Sequence, residues 1–217
     1  YVESLSPAQG TGGTTTLTLA AGEQRILPSI HDVLRAALPS GIGPKGGSYA
    51  GSLSVRFLSS GSLAQGYAGV RTSSPAHTGS GRYGLFFSGV GTSARAHASA
   101  WVFSLRQDDS VRADATVAAS PENPAPVTVS VQVINGATGA LAGTTDRVTL
   151  APGAWKQWAN LLPAYGVSQG YVRVVNDTAS GTVTAYGVVN DGPTPGSATG
   201  TDDGSFVPGL PAVSGSP

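Results

Sequence analysis

The chain has 217 residues, 40% of them hydrophobic and only 11% charged, with Lys+Arg at 12 balancing Asp+Glu at 12. That length accommodates one large all-β domain or two of about 100 residues, each able to bury a core. Net charge is zero and no basic patch stands out, so no nucleic-acid partner is expected. The absence of Cys excludes both a disulfide framework and a thiolate metal site.

Low charge combined with ample hydrophobicity is not the signature of a disordered chain. No apolar run reaches the roughly 18 residues of a membrane span. Gly at 31 and Pro at 15 suit many short strands joined by tight turns. Ser, Thr and Gly stand where cytosolic proteins carry Lys and Glu, so an extracellular or cell-surface location is expected. There is no Met, and a chain that begins at Tyr1 is expected to be processed, trimmed or internal in origin.

The elements follow in chain order. Val2 to Leu5 reads as a strand. Leu17-Thr18-Leu19-Ala20-Ala21-Gly22 is an alternating strand running into a turn, with Gly supplying the turn conformation. Within an insertion over 29–50, Ile30, Val33, Leu34, Ala37 and Leu38 have helical spacing. Ser29 and Asp32 supply a capping pattern and Pro39 a stop, which predicts a short helix over about 29–38. Strands follow at Gly51-Ser52-Leu53-Ser54-Val55, at Tyr67-Ala68-Gly69-Val70 and at Gly84-Leu85-Phe86-Phe87-Ser88-Gly89.

The second half begins with Val111 to Val117, apolar at odd positions. A Pro-rich turn through Pro121, Pro124 and Pro126 leads to Val127, Val129, Val131 and Val133 on one strand face. Val148-Thr149-Leu150-Ala151-Pro152-Gly153 is the next strand and turn, followed by Trp155 and Trp158. Gly170 to Val174, Ala185-Tyr186-Gly187-Val188 and Gly204 to Gly209 complete the set. Alternation predicts that Val111, Ala113, Ala115, Val117, Val129, Val131, Val133, Val148, Leu150, Val172, Val174, Tyr186 and Val188 point inward.

Four segments recur in the same order, each roughly 120 to 130 residues apart. Leu17–Gly22 pairs with Val148–Gly153, and Gly51–Val55 with Gly170–Val174. Tyr67–Val70 pairs with Ala185–Val188, and Gly84–Gly89 with Gly204–Gly209. The pattern predicts an all-β chain of two tandem Ig-like antiparallel β-sandwich modules, 1–92 and 98–211, with a C-terminal tail at 212–217. Val2 to Leu5 corresponds to Val127 to Val133, and nothing before it corresponds to Val111 to Val117. The first module is therefore expected to carry a helical insertion and to lack its opening strand, leaving an open pairing edge.

Leu150-Ala151-Pro152-Gly153 with Trp158, Ala185-Tyr186-Gly187-Val188-Val189-Asn190-Asp191, and Asp203-Gly204-Ser205-Phe206-Val207-Pro208 together give the second half a recognisable pattern. It resembles the tandem β-sandwich repeats of secreted proteins from acidobacteria and similar environmental bacteria. That resemblance implies a sandwich fold and secretion, and no particular activity. The first half departs from it at Tyr83-Gly84-Leu85-Phe86-Phe87.

No catalytic, cofactor-binding or metal-binding set emerges. Gly166-Val167-Ser168-Gln169-Gly170 matches the nucleophile-elbow pattern but precedes a strand, and His31, His77 and His97 all come before Ser168. The histidines lack ligand spacing, and Asp108, Asp109, Asp202 and Asp203 fall in turns. Asn176-Asp177, Asn190-Asp191 and Asp202-Asp203 could serve calcium, although solvated turn residues are the ordinary reading. Asn176-Asp177-Thr178 fits the glycosylation sequon. In the repeat Trp158 takes the place of Leu27 and so reads as core. Trp155 takes the place of Gln24 and reads as a surface aromatic for a glycan or a protein interface.

These features favour a non-catalytic secreted structural protein, a subunit of an extracellular filament or cell-surface assembly that self-associates or meets neighbouring surface proteins through strand contacts. The alternative is a carbohydrate-binding or adhesive accessory module. Phe206, Val207, Leu210 and Val213 form an apolar, Pro-bearing segment expected to lend a strand to a neighbouring subunit.

Overall fold

The computed structural model describes residues 2–3, 12–38, 50–76, 80–192 and 203–212. Strands dominate it. In the first half lie β1 (Val2–Glu3), helix α1 (Ile30–Ala37), β2 (Gly51–Ser52), β3 (Leu58–Ser59), β4 (Ser62–Leu63), β5 (Gly69–Pro75) and β6 (Arg82–Ser88). The second half holds β7 (Ser99–Arg106), β8 (Val111–Ala119), β9 (Val127–Asn135), β10 (Leu141–Thr144), β11 (Val148–Leu150) and β12 (Trp155–Trp158). It closes with β13 (Gln169–Asn176), β14 (Val183–Asp191), β15 (Gly204–Pro208) and β16 (Leu210–Pro211).

Strands β7 to β16 form two antiparallel sheets packed face to face. One runs in the order β10-β9-β13-β7-β16, with β11 also paired to β9, and the other in the order β12-β8-β14-β15. Between them the alternate residues of β8, β9 and β13 interdigitate, so that Val117, Val129, Val131, Val133, Val172 and Val174 are all fully buried. Leu150, Leu162 and Ala185 close the same cluster, with Trp158 partly buried against it. Each such aliphatic side chain removed from water stabilises the fold by about 1.5–3 kcal/mol before the entropy of ordering is subtracted.

The predicted inward residues are buried or half-buried throughout, but two of them face the other way. Val188 lies opposite Asp114 and Tyr186 opposite Thr116 in the β14–β8 ladder. On β8 the core side belongs to Ala113, Ala115 and Val117. Gly187, between the two, presents its bare Cα to Leu105 and Val102 of the facing sheet. Tyr186 and Val188 therefore project from the outer face of their sheet. They are buried there because β6 lies over them: Phe87 meets Tyr186 edge-on at 5.8 Å and Phe206 at 5.7 Å. Strict alternation assumes one wet face, and this sheet has none over that stretch.

α1 follows from its sequence. Ser29 caps it, its Oγ accepting from the Asp32 amide at 3.2 Å, and Leu34 is its buried residue. The rest of the first half makes three separate two-stranded sheets, β1-β2, β3-β4 and β5-β6. Residues 13–29 and 53–57 belong to no strand apart from α1's cap at Ser29. Leu17, Leu19, Ile26, Leu53, Val55, Leu58, Leu63 and Tyr67 are exposed, Ile26 and Leu63 by more than four-fifths.

The matched segments share local geometry. Gly22 and Gly153 both adopt left-handed backbone, with φ of 75° and 78°. Each ends the same turn, closed by Glu23 N to Ala20 O at 3.0 Å and by Ala154 N to Ala151 O at 2.9 Å. Hairpin β5–β6 parallels β14–β15: Gly89 N donates to Ala68 O and Gly209 N to Ala185 O, each at 2.9 Å. β1 pairs antiparallel with β2 as β9 does with β13. The surroundings differ. In the second half the strands flanking the turn are held by sheet partners, β11 on β9 and β12 on β8. Their counterparts at 17–19 and 24–27 have none among the described residues.

Candidate binding surface

The residues nominated from sequence do not converge. Ser168 is exposed in the turn before β13, where its carbonyl accepts from Gln107 N at 2.8 Å. His31 sits on α1, His97 is exposed with its carbonyl bound to Asn176, and His77 and Asp202 lie outside the described residues. Among the described residues no group of three His, Cys, Asp or Glu could hold a metal. Asn176-Asp177 closes β13 beside the start of β14, whereas Asn190-Asp191 closes β14 at its far end. Nine strand residues, about 27 Å, separate the ends of β14, so these carboxylates do not share one calcium site.

The sequon is also accounted for structurally. Asn176 is buried, and its Nδ2 donates to His97 O at 2.8 Å and Gly181 O at 3.3 Å. A glycan on that nitrogen would replace one of its two N–H hydrogens and so cost at least one of these bonds. Asp203 Oδ1 accepts from Gly84 N at 2.9 Å and fastens β6 to the second half.

Trp155 is half-buried rather than exposed. It lies opposite Ala118 on the outer face of β12, with its indole nitrogen enclosed and unpartnered. Two residues before it, Gly153 O accepts from Ser52 Oγ at 2.7 Å. The tail residues are engaged within the chain itself. Phe206 and Val207 pair with Val188 and Gly187 in β15, and Leu210 pairs with Trp101 in β16. Val213 lies outside the described residues.

Two carboxylates show what polar groups do in this fold. Asp114 projects from the outer face of β8, and burial pushes its carboxyl up against the opposing pull of the Asn160 amide, Arg112 and Gln157. Gln157 Nε2 at 2.7 Å and Asn160 N at 3.3 Å tie it to β12 and to the turn after it. No nucleophile or second acid accompanies it in these contacts, and its role is to pin that turn. Glu122 is held at about 2: partial burial opposes ionisation, but Ser120, Arg56 and Arg95 outweigh it. Its bonds to Arg56 at 3.1 Å and Arg95 at 2.8 Å link the first half to the sandwich.

A surface not nominated from sequence lies on the outer face of the larger sheet. With Ala100 and Val102 pointing inward, Trp101 and Phe103 of β7 project outward. Val172 and Val174 place Tyr171 and Arg173 of β13 on the same side. The Trp101 and Phe103 rings are nearly parallel, 11° apart with centroids 6.2 Å apart. Tyr171 touches both, at 5.9 Å and 5.2 Å. Phe103 is 42% exposed. The Arg173 guanidinium lies over Trp101 at 5.4 Å. A shallow, open cleft of about 420 Å³ continues from Tyr171 and is lined also by Ser104, Arg106, Gly136 and Gln169. Ser104 adopts φ of 60° there, a backbone unusual for a residue with a side chain. The available signal was Trp101-Val102-Phe103 itself, but apolar residues at consecutive positions hide which face is outside.

No family model, no curated protein and no solved structure matches this chain.

Proposed function

We propose that the chain is a non-catalytic structural subunit of an extracellular filament or cell-surface assembly. Its two halves are tandem Ig-like sandwich modules of the kind the resemblance to secreted bacterial repeats implies. The first is completed by a strand from a neighbouring copy. One observation carries this reading. In the second half β8 lies between β12 and β14 and binds both, whereas the counterparts of those two strands, 24–27 and β5, have no strand between them among the described residues.

Exposed apolar side chains on extended, unpaired backbone suit an incoming strand, since its hydrogen bonds and its side chains are both provided for. The tail segment at 204–211 is spent on its own sandwich, so the opening lies in the first half. A contact in which one copy fills the opening of the next is heterologous and propagates unless its rotation closes a ring. The test is to image the purified native protein beside a Leu17→Asp/Leu19→Asp variant. Polymers in the first and folded monomers in the second are expected. A native protein that stays monomeric at every concentration would falsify the proposal.

A further inference from the structure

We infer that the outer face of the larger sheet, centred on Trp101, Phe103, Tyr171 and Arg173, binds an acidic polysaccharide, one whose sugar rings carry carboxylates. A pyranose ring has an apolar face of C–H bonds and a rim of hydroxyls. Its recognition therefore needs flat aromatic surface beside hydrogen-bonding groups. Both are present and continuous. Three rings contact one another on one side of two adjacent strands, at centroid separations of 5.2 to 6.2 Å, comparable with the length of one sugar unit. The cleft that starts at Tyr171 adds Ser104, Arg106 and Gln169 as donors and acceptors.

The charge selects the class of sugar. Arg106 is already paired with Asp108 at 2.5 Å. Arg173 has no ion pair among the described residues, and its Nε is enclosed without a hydrogen-bond partner while the guanidinium rests on Trp101. That leaves one positive charge with no ion pair among the described residues, stacked on the aromatic platform, whose terminal nitrogens are the donors suited to pairing with a carboxylate. The cleft is open and shallow, which suits a chain lying across it more than a small molecule enclosed within it.

The experiment is calorimetric titration of the full chain with oligomers of galacturonic acid, neutral oligomers of galactose, and oligoglutamate. Tighter binding of the acidic sugar than of the other two is expected. Phe103→Ala, at an exposed position, should weaken it about tenfold, equivalent to about 1.4 kcal/mol, while Phe103→Tyr retains it. Arg173→Gln should erase the preference for the acidic over the neutral sugar. No binding of either sugar, equal affinity for the neutral one, oligoglutamate binding as tightly as the acidic sugar, or wild-type affinity in a folded Phe103→Ala protein would each overturn the inference.

Discussion

Leu162 and Leu63 show how differently the two halves use the same residue. Leu162 is fully buried behind the sandwich core, whereas Leu63 is 82% exposed on a two-stranded sheet. Leu162→Ala should cost about 2–5 kcal/mol through lost burial and the cavity left behind. Leu63→Ala should change the stability of the dissociated chain by less than about 0.5 kcal/mol. Denaturant titration of both variants in dilute solution checks the contrast, and equal losses would mean that Leu63 is buried in the free chain.

Glu122 supplies a pH-dependent counterpart. Its carboxyl is held at about 2 in the folded chain against an ordinary value of 4.5. A depressed folded pKa adds stability at pH values above 4.5, and that stability is lost as pH falls through about 2. The group is largely open to solvent, so the effect is screened and small. Melting of wild type and Glu122→Gln across that window should show an initial wild-type advantage that shrinks with acidification. A difference that stays constant down to about pH 2 would remove Glu122 from the account.

At the scale of elements, the strands with one dry face were the legible ones. Val129, Val131 and Val133 on β9 alternate with Thr128, Ser130 and Gln132, and the structure keeps that parity. The helix 30–37 was legible from Ser29, Asp32 and the spacing of Ile30, Val33 and Leu34. On β14 the parity was unreadable, because Val183, Ala185 and Val189 face the core while Tyr186 and Val188 meet β6 and β15 on the other side. β7 was missed as a strand for the same reason: Ala100-Trp101-Val102-Phe103 offers apolar residues to both faces. With it went the aromatic surface.

Hairpin β5–β6 depends on that outer-face packing. Phe87 anchors it against Tyr186 and Phe206, and a methyl group on Gly84 would come within 2.0 Å of Thr72 O across the hairpin. Phe87→Ala and Gly84→Ala should each loosen β5 and β6 while leaving β8, β9 and β13 protected. Residue-resolved amide exchange reads this directly. Uniform loss of protection across both halves would show that hairpin and sandwich form one cooperative unit.

At the scale of the whole molecule, the two halves contain the same turn, the same closing hairpin and comparable strand sequences, yet among the described residues the buried core cluster lies from Ala96 onward. The turn at Gly22 and the hairpin ending at Gly89 are local structures, fixed by nearby hydrogen bonds. The sandwich around β8 is not local. It depends on β8 lying between β12 and β14, and the first half shows no counterpart of β8 among the described residues. Local pattern could therefore show the matching turn and hairpin without showing what packs around them.

Amide hydrogen exchange of the purified native protein, followed from low to high concentration, tests the proposed completion of the first half by a neighbouring copy most directly. The account predicts that residues 17–27 and the free edge of β5 exchange freely in the dilute chain and become protected as copies associate, while β8, β9 and β13 stay protected throughout. Free exchange of 17–27 and β5 at every concentration, in particles that nevertheless assemble, would contradict it.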